Sequence, residues 1–192
     1  MRQNFIALAI ACLVSACGHQ SVNQSDTSAV PRLALEPRSL GHSLSLSQLV
    51  TGEYGDRTYQ MRYEIDIQPE RLGVVGLSPL GITLFTIIQE RGVITSKVFV
   101  PGGIPIDPDY LILDLHLIYW PSIPLQEALE STGMRLDETA DRSMRRIRDI
   151  HGNVLTEILY KSAHSRFDEI SVAHFDHGYR LNIRAIGLRR SE

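Results

Sequence analysis

The sequence predicts a mainly β (α+β) fold: an open, incompletely closed antiparallel β-barrel around a buried helical insert. Three observations predict it. Apolar and polar residues alternate with period two over several stretches, the signature of half-buried strands. Turn residues separate those stretches at short intervals, as antiparallel neighbours require. One mid-chain run, 107–120, is apolar almost all round and needs cover on every side. The chain shows neither βαβ alternation nor an internal repeat, which argues against a parallel α/β sheet and a solenoid.

A length of 192 residues suits one globular domain, and 43% hydrophobic residues suffice for a core. The formal net charge is −3 and there is no sustained Lys/Arg run, so nucleic acid is not an expected partner. Cys12 and Cys17 are the two cysteines and both precede the domain, which excludes a disulfide framework or a Cys-rich zinc site in the folded body.

The first seventeen residues carry Arg2, then an apolar run from Phe5 to Val14. That run is shorter than the roughly 20 residues that span a bilayer, and it matches a secretory signal over 1–16. It ends in Val14-Ser15-Ala16-Cys17, which resembles the bacterial lipobox. The resemblance implies that Cys17 is lipidated and carries acyl chains such as palmitate. Gly18 follows where an Asp would signal retention in the inner membrane, so the resemblance points to the outer membrane, facing the periplasm. An ordinary signal peptide cut after Ala16, with Cys17 incidental, is the alternative. Each buried methylene contributes about 0.8 kcal/mol, so several chains anchor firmly. Residues 18–38 are rich in Ser, Gln, Asn and Thr with Pro31 and Pro37, and read as a flexible tether after the lipidated cysteine. The domain is then 39–192.

The strands follow in order. Residues 44–50 alternate loosely. Met61, Tyr63, Ile65 and Ile67 alternate with Gln60, Arg62, Glu64 and Asp66. Residues 72–77 and 82–89 flank a Ser78-Pro79-Leu80-Gly81 corner; in the second, Leu84 and Ile88 point one way and Phe85 and Ile87 the other, so both faces need cover. Residues 93–100 form another strand, stopped by Pro101. Asp107-Pro108 reads as an N-cap with proline at the first helical position, which favours a helix over 107–120; a strand is the alternative. A short helix over 122–131 follows, stopped by Gly133. Strands resume at 144–150 and 154–160, and a last hairpin joins 170–175 to 179–186 through Asp176-His177-Gly178. Leu181 and Ile183 share one face of the final strand. Met61, Tyr63, Ile65, Leu84, Phe85, Ile88, Leu115, Leu181 and Ile183 are the candidate lining of an apolar interior shared by the helix and a ligand.

The corner is the unusual stretch. Pro79 and Gly81 fit a tight turn, and a turn tip faces water, yet the tip residue is Leu80. Either Leu80 folds back onto the core, or it touches something apolar outside the protein.

Together, a lipobox, a polar tether, strands leading to Ser78-Pro79-Leu80-Gly81, a helical insert and a final hairpin resemble the LolA/LolB group of envelope proteins. The resemblance runs loosely over 43–188 and most closely over Tyr59–Ser96. It implies an open antiparallel barrel whose apolar cavity takes acyl chains, and a protruding leucine, here Leu80 between Pro79 and Gly81, that contacts membrane. The single Trp120 departs from LolB. The chain is more similar to small lipoproteins, relatives of LolB, that accompany fatty-acid-like (aryl polyene) synthesis clusters. That similarity implies an acyl or polyene lipid as cargo, membrane lipid as a partner, and a periplasmic carrier as a further one. A structural lipoprotein that docks an envelope partner without ligand is the alternative function.

No catalytic constellation or metal site stands out, and no cofactor is expected beyond the lipid on Cys17. His174-Phe175-Asp176-His177 straddles a turn and reads as solvated. Gly41-His42-Ser43-Leu44-Ser45 lacks the second glycine of a nucleophile elbow. His116 on the apolar helix reads as a hydrogen-bonded core histidine. Asp114 beside it needs a partner, with an arginine the expected one. Arg142, Arg145, Arg146 and Arg148 read as a solvated face, or else as a contact for anionic groups.

Overall fold

The structure is a computed structural model that describes residues 31–101, 107–161 and 167–191. The strands are β1 (Ser43–Tyr54), β2 (Arg57–Gln68), β3 (Arg71–Leu77), β4 (Thr83–Glu90), β5 (Val93–Val98), β6 (Arg135–Glu138), β7 (Met144–Arg148), β8 (Val154–Tyr160), β9 (Glu169–His174) and β10 (Tyr179–Ser191). They form one ten-stranded antiparallel sheet, ordered β5-β4-β3-β2-β1-β10-β9-β8-β7-β6. Every neighbour is a hairpin partner except β1 and β10, which pair along their length and join two meanders. The sheet is open, with β5 and β6 as its edges.

Helices α1 (Pro108–Tyr119) and α2 (Ser122–Glu130) lie in the chain between those two edges. The connection must therefore pass over the sheet, and α1 is the part that does so. Its start is fixed by Asp107, whose carboxylate accepts the Asp109 N–H at 2.8 Å, and by Pro108 at the first helical position. It ends at Trp120, which precedes Pro121 and takes an extended conformation. All nine residues from Leu111 to Tyr119 are buried. Bonds from both meanders hold α1: Gln89 of β4 meets His116 at 3.1 Å, the Tyr119 hydroxyl donates to Gln48 of β1 at 2.6 Å, and the Tyr160 hydroxyl of β8 donates to the Ile118 carbonyl at 2.7 Å. Contacts with strands so far apart in the sheet order mean that the sheet curves around the helix.

Gly76 of β3 is needed for packing. A Cβ there would lie 2.1 Å from the Phe85 ring, which sits fully buried and edge-on to Tyr63 at 5.8 Å.

Three readings need correction. The tether does not extend to residue 38, because Leu33, Leu35 and Pro37 are buried. Leu33 and Leu35 alternate with Arg32, Ala34 and Glu36, a local pattern that the polar composition of 18–38 hides. This segment runs along α1: Arg32 pairs with Asp109 at 2.6 Å, Gln89 donates to the Leu35 carbonyl at 2.9 Å, and Trp120 donates to Ser39 at 2.8 Å. Cys17, the signal segment 1–16 and residues 18–30 lie outside the described residues. Strand β6 was not anticipated, since four residues give too little pattern to read. The arginine cluster is not a free basic face either. Arg145 is buried and bonded to Glu138 at 2.8 Å, Arg146 to Glu157 at 2.7 Å, and Arg148 to Asp137 at 2.5 Å.

Candidate functional site

Between α1 and strands β1, β2 and β10 lies a cavity of about 590 Å³. One stripe of α1 forms its roof: Asp107, Tyr110, Leu111, Asp114, Leu115 and Ile118, spaced three or four apart as one helical face must be. Alternate residues of the strands form the floor: Gln48 and Val50, Tyr59, Met61 and Tyr63, then Tyr179, Leu181 and Ile183. The inner end is closed by the buried Gln48, Ile118 and Ile183. The other end carries the exposed Glu53, Tyr54, Asp107, Asp176 and Arg180, and is the mouth.

The sheet register locates that mouth. Tyr54 pairs with Arg57 and with Tyr179, so the β1–β2 hairpin and the β9–β10 turn share one end of the sheet. Strand β3 runs from opposite Gln68 to opposite Arg62, toward the same end, so the Ser78–Gly81 corner projects there too. Residue Arg32 and the start of α1 also lie at this end, since Arg32 pairs with Asp109 and Tyr110 meets His177 at 3.1 Å.

The corner is a tight turn. Gly81 at φ 80 donates to the Ser78 carbonyl at 2.9 Å, and Ser78 donates to the Ile82 carbonyl at 2.8 Å. Leu80 is 88% exposed and does not fold back onto the core. Ile82 and Phe99 are exposed as well.

A polar group flanks the mouth. The Asp114 carboxylate meets His174 Nε2 at 2.6 Å and accepts the Tyr179 hydroxyl at 3.1 Å. His174 Nδ1 in turn meets Thr156 at 3.0 Å and its ring stacks on Tyr179 at 4.2 Å. His177 lies 3.2 Å from Asp176. Two expectations change here: the partner of Asp114 is a histidine and a tyrosine, not an arginine, and His174 is buried, not solvated. Asp114, His174 and Thr156 stand in a row like a hydrolase triad, but Thr156 is buried and does not line the cavity. Among the described residues no group of three His, Cys, Asp or Glu is placed to hold a metal ion. Nor is any described helix long and apolar enough to cross a membrane.

The electrostatics at the mouth are acidic. Burial first, and then the Asp114 charge, push the Tyr63 and Tyr179 hydroxyls upward. Tyr110 is raised too, by burial and then by Asp176 and Asp107. On the far side of α1, burial pushes His116 down to about 3. The unfolded chain binds a proton on His116 near pH 6.5 that the folded chain refuses, so stability falls as pH drops through that value, by about 1.4 kcal/mol per unit. Between pH 7 and pH 5 the protein should lose about 2 kcal/mol more than His116→Gln does, read from urea unfolding at each pH. Equal losses would mean that His116 takes up its proton in the folded state.

Of the anticipated lining, Met61, Tyr63, Leu115, Leu181 and Ile183 face the cavity. Ile65 and Phe85 are core residues beyond it. Leu84 and Ile88 stand on the opposite face of β4, because Phe85, Ile87 and Gln89 take the inner positions. Reasoning from sequence missed Val50, Tyr110, Leu111, Asp114, Ile118 and Tyr179. The helical spacing of the α1 set was there to find, but a helix apolar all round shows no stripe.

A family model described as "Protein of unknown function (DUF3261)" matches residues 45–187, and the chain belongs to that family. No curated protein matches it. Among solved structures, a DUF1329 family protein from Desulfovibrio piger is similar with a TM-score of 0.50 and 8% identity, over 77% of this chain and 85% of that one. A LolA superfamily protein from Nitrosomonas europaea is similar at 0.45 and 12%, over 84% and 89%. A putative outer membrane lipoprotein-sorting protein domain from Vibrio parahaemolyticus is similar at 0.43 and 8%, over 78% and 85%.

Proposed function

We propose that this member of the DUF3261 family is a lipid-handling lipoprotein, anchored to the outer membrane through acyl chains on Cys17 and facing the periplasm. It binds an acyl cargo, the chains of a lipoprotein or of a polyene lipid, in the cavity under α1, and exchanges it with membrane lipid or a periplasmic carrier. No catalysis, nucleic acid or further cofactor enters this reading. The observation that carries it is a largely apolar cavity of about 590 Å³, of ordinary size for a ligand site, opening at the end of the sheet from which Leu80 projects. Pro79, Leu80 and Gly81 would then meet the membrane beside the opening. The resemblance of the same corner to the LolA/LolB group supports the reading.

The test uses residues 18–192, which contain every described element of the fold. Native mass spectrometry of this chain, exported behind a cleavable signal peptide without a lipobox and isolated from the periplasm, should find bound lipid. Leu181→Trp, which fills the cavity across from Gly52, should lower uptake of a fluorescent fatty-acid probe by about tenfold, about 1.4 kcal/mol, with a much smaller change in melting temperature. A chain that carries no lipid and takes up no probe would instead be a docking lipoprotein without ligand.

A further inference from the structure

We infer that the cavity selects cargo whose head group donates N–H hydrogen bonds and carries no negative charge, an amine or an amide, held at the mouth by the Asp114 carboxylate. The inference rests on the lipid-binding reading above and names the chemistry of the cargo.

Asp114 is the buried carboxylate on the cavity stripe of α1, beside Leu111 and Leu115. Its side chain is 11% exposed. A carboxylate has about four acceptor positions. Here Oδ1 meets His174 and the Tyr179 hydroxyl, and Oδ2 meets the Tyr179 hydroxyl at 3.2 Å. Two donor groups leave acceptor capacity on a side chain that lines the cavity. A head group with N–H donors uses that capacity while its chain lies between Leu115, Leu181 and Met61.

The surroundings exclude the opposite charge. Glu53, Asp107 and Asp176 line the mouth with Asp114, and Arg180 is the one Lys or Arg among the lining residues. An incoming phosphate or carboxylate therefore meets four carboxylates and a single guanidinium at the opening, an unfavourable balance for an anion. Burial is the main cause of the upward shift of Tyr110 and Tyr179, and the neighbouring carboxylates Asp107, Asp114 and Asp176 add to it. The Tyr110 hydroxyl is already engaged with His177, so it offers an anion little in return.

Residues 18–192 can be titrated at pH 7.5 with four probes that share a twelve-carbon chain: dodecylamine, lauramide, dodecanol and dodecyl phosphate. Dodecylamine and lauramide should bind at least about tenfold more tightly than dodecyl phosphate, the scale of one charge-assisted hydrogen bond. Asp114→Asn should remove most of the preference for dodecylamine. Because that change also disturbs His174, a second variant is needed at the exposed mouth. Asp107→Asn/Asp176→Asn keeps a good helix cap and should narrow the gap between amine and phosphate by about threefold with an unchanged melting temperature. Equal binding of all four probes, or tighter binding of the phosphate, overturns the head-group assignment and leaves the cavity reading standing. An amine–phosphate gap that neither variant alters overturns it too. Failure of every probe to bind overturns the cavity reading itself.

Discussion

Arg145→Met should lower the melting temperature by roughly 10 °C. The Arg145 side chain is 2% exposed, and its guanidinium joins four elements. Nε donates to Glu138 of β6 at 2.8 Å, and Nη1 donates to the Leu117 carbonyl of α1 at 2.9 Å. Nη2 reaches Ser122 of α2 at 3.5 Å, and the group lies over the Tyr160 ring of β8 at 6.0 Å. The carbonyls it binds are those left open at the end of α1, where a cation is favoured. Methionine fills much of the volume but supplies no donor, and removal of one partner from a buried pair costs about 3–5 kcal/mol. Lysine is an incomplete substitute: it keeps the charge and three donors, but its compact ammonium does not span Glu138 and the Leu117 carbonyl as the planar guanidinium fork does. Thermal unfolding of the three proteins should rank Arg145 above Lys and Lys above Met. A methionine variant as stable as the parent would mean that α1 is held by its apolar packing alone. The loss should also reach the cavity, because α1 is its roof.

Arg145 also marks the limit of reading this fold from its sequence. The period-two strands were legible, since Met61 to Ile67 and Tyr179 to Ile183 each have one wet face that fixes their register. Helix α1 was legible from Asp107-Pro108 at its start, although its apolar run would also suit a buried strand. Arg145 looked like its neighbours Arg146 and Arg148; period two puts it on the face of the buried Ile147, but nothing near it in sequence names its partners, Glu138 and the Leu117 carbonyl. The same holds for His174. Its turn reads as wet, but the residue occupies an inner position of β9 opposite Tyr179, where Asp114 meets both. In β4 both faces are apolar, so nothing local decided between Leu84 and Phe85; the contact of Phe85 with Gly76 decides it. Tertiary partners of polar residues, in short, are set by strands distant in sequence, and the local pattern holds no record of them.

Leu80→Glu should leave folding unchanged and reduce binding to liposomes by about tenfold. Leu80 is 88% exposed, so its replacement removes almost no packing, and surface changes of this kind stay within about 0.5 kcal/mol. The turn does not depend on the side chain: Gly81 and Ser78 close it through the backbone. Membrane contact does depend on it, because a carboxylate resists entry into the acyl boundary where a leucine enters readily. Ile82 and Phe99 are exposed too and supply part of the apolar contact, so Leu80→Glu/Ile82→Ser should reduce binding further. Residues 18–192 are the right protein for the measurement, since an acyl anchor would mask the corner's contribution. A stability loss of several kcal/mol in Leu80→Glu, or liposome binding equal to the parent's, would remove the membrane role from this corner. Loss of binding with uptake of a soluble fatty-acid probe unchanged would separate the two tasks: Leu80 would bring the mouth to the bilayer, and the cavity behind it would take the chain.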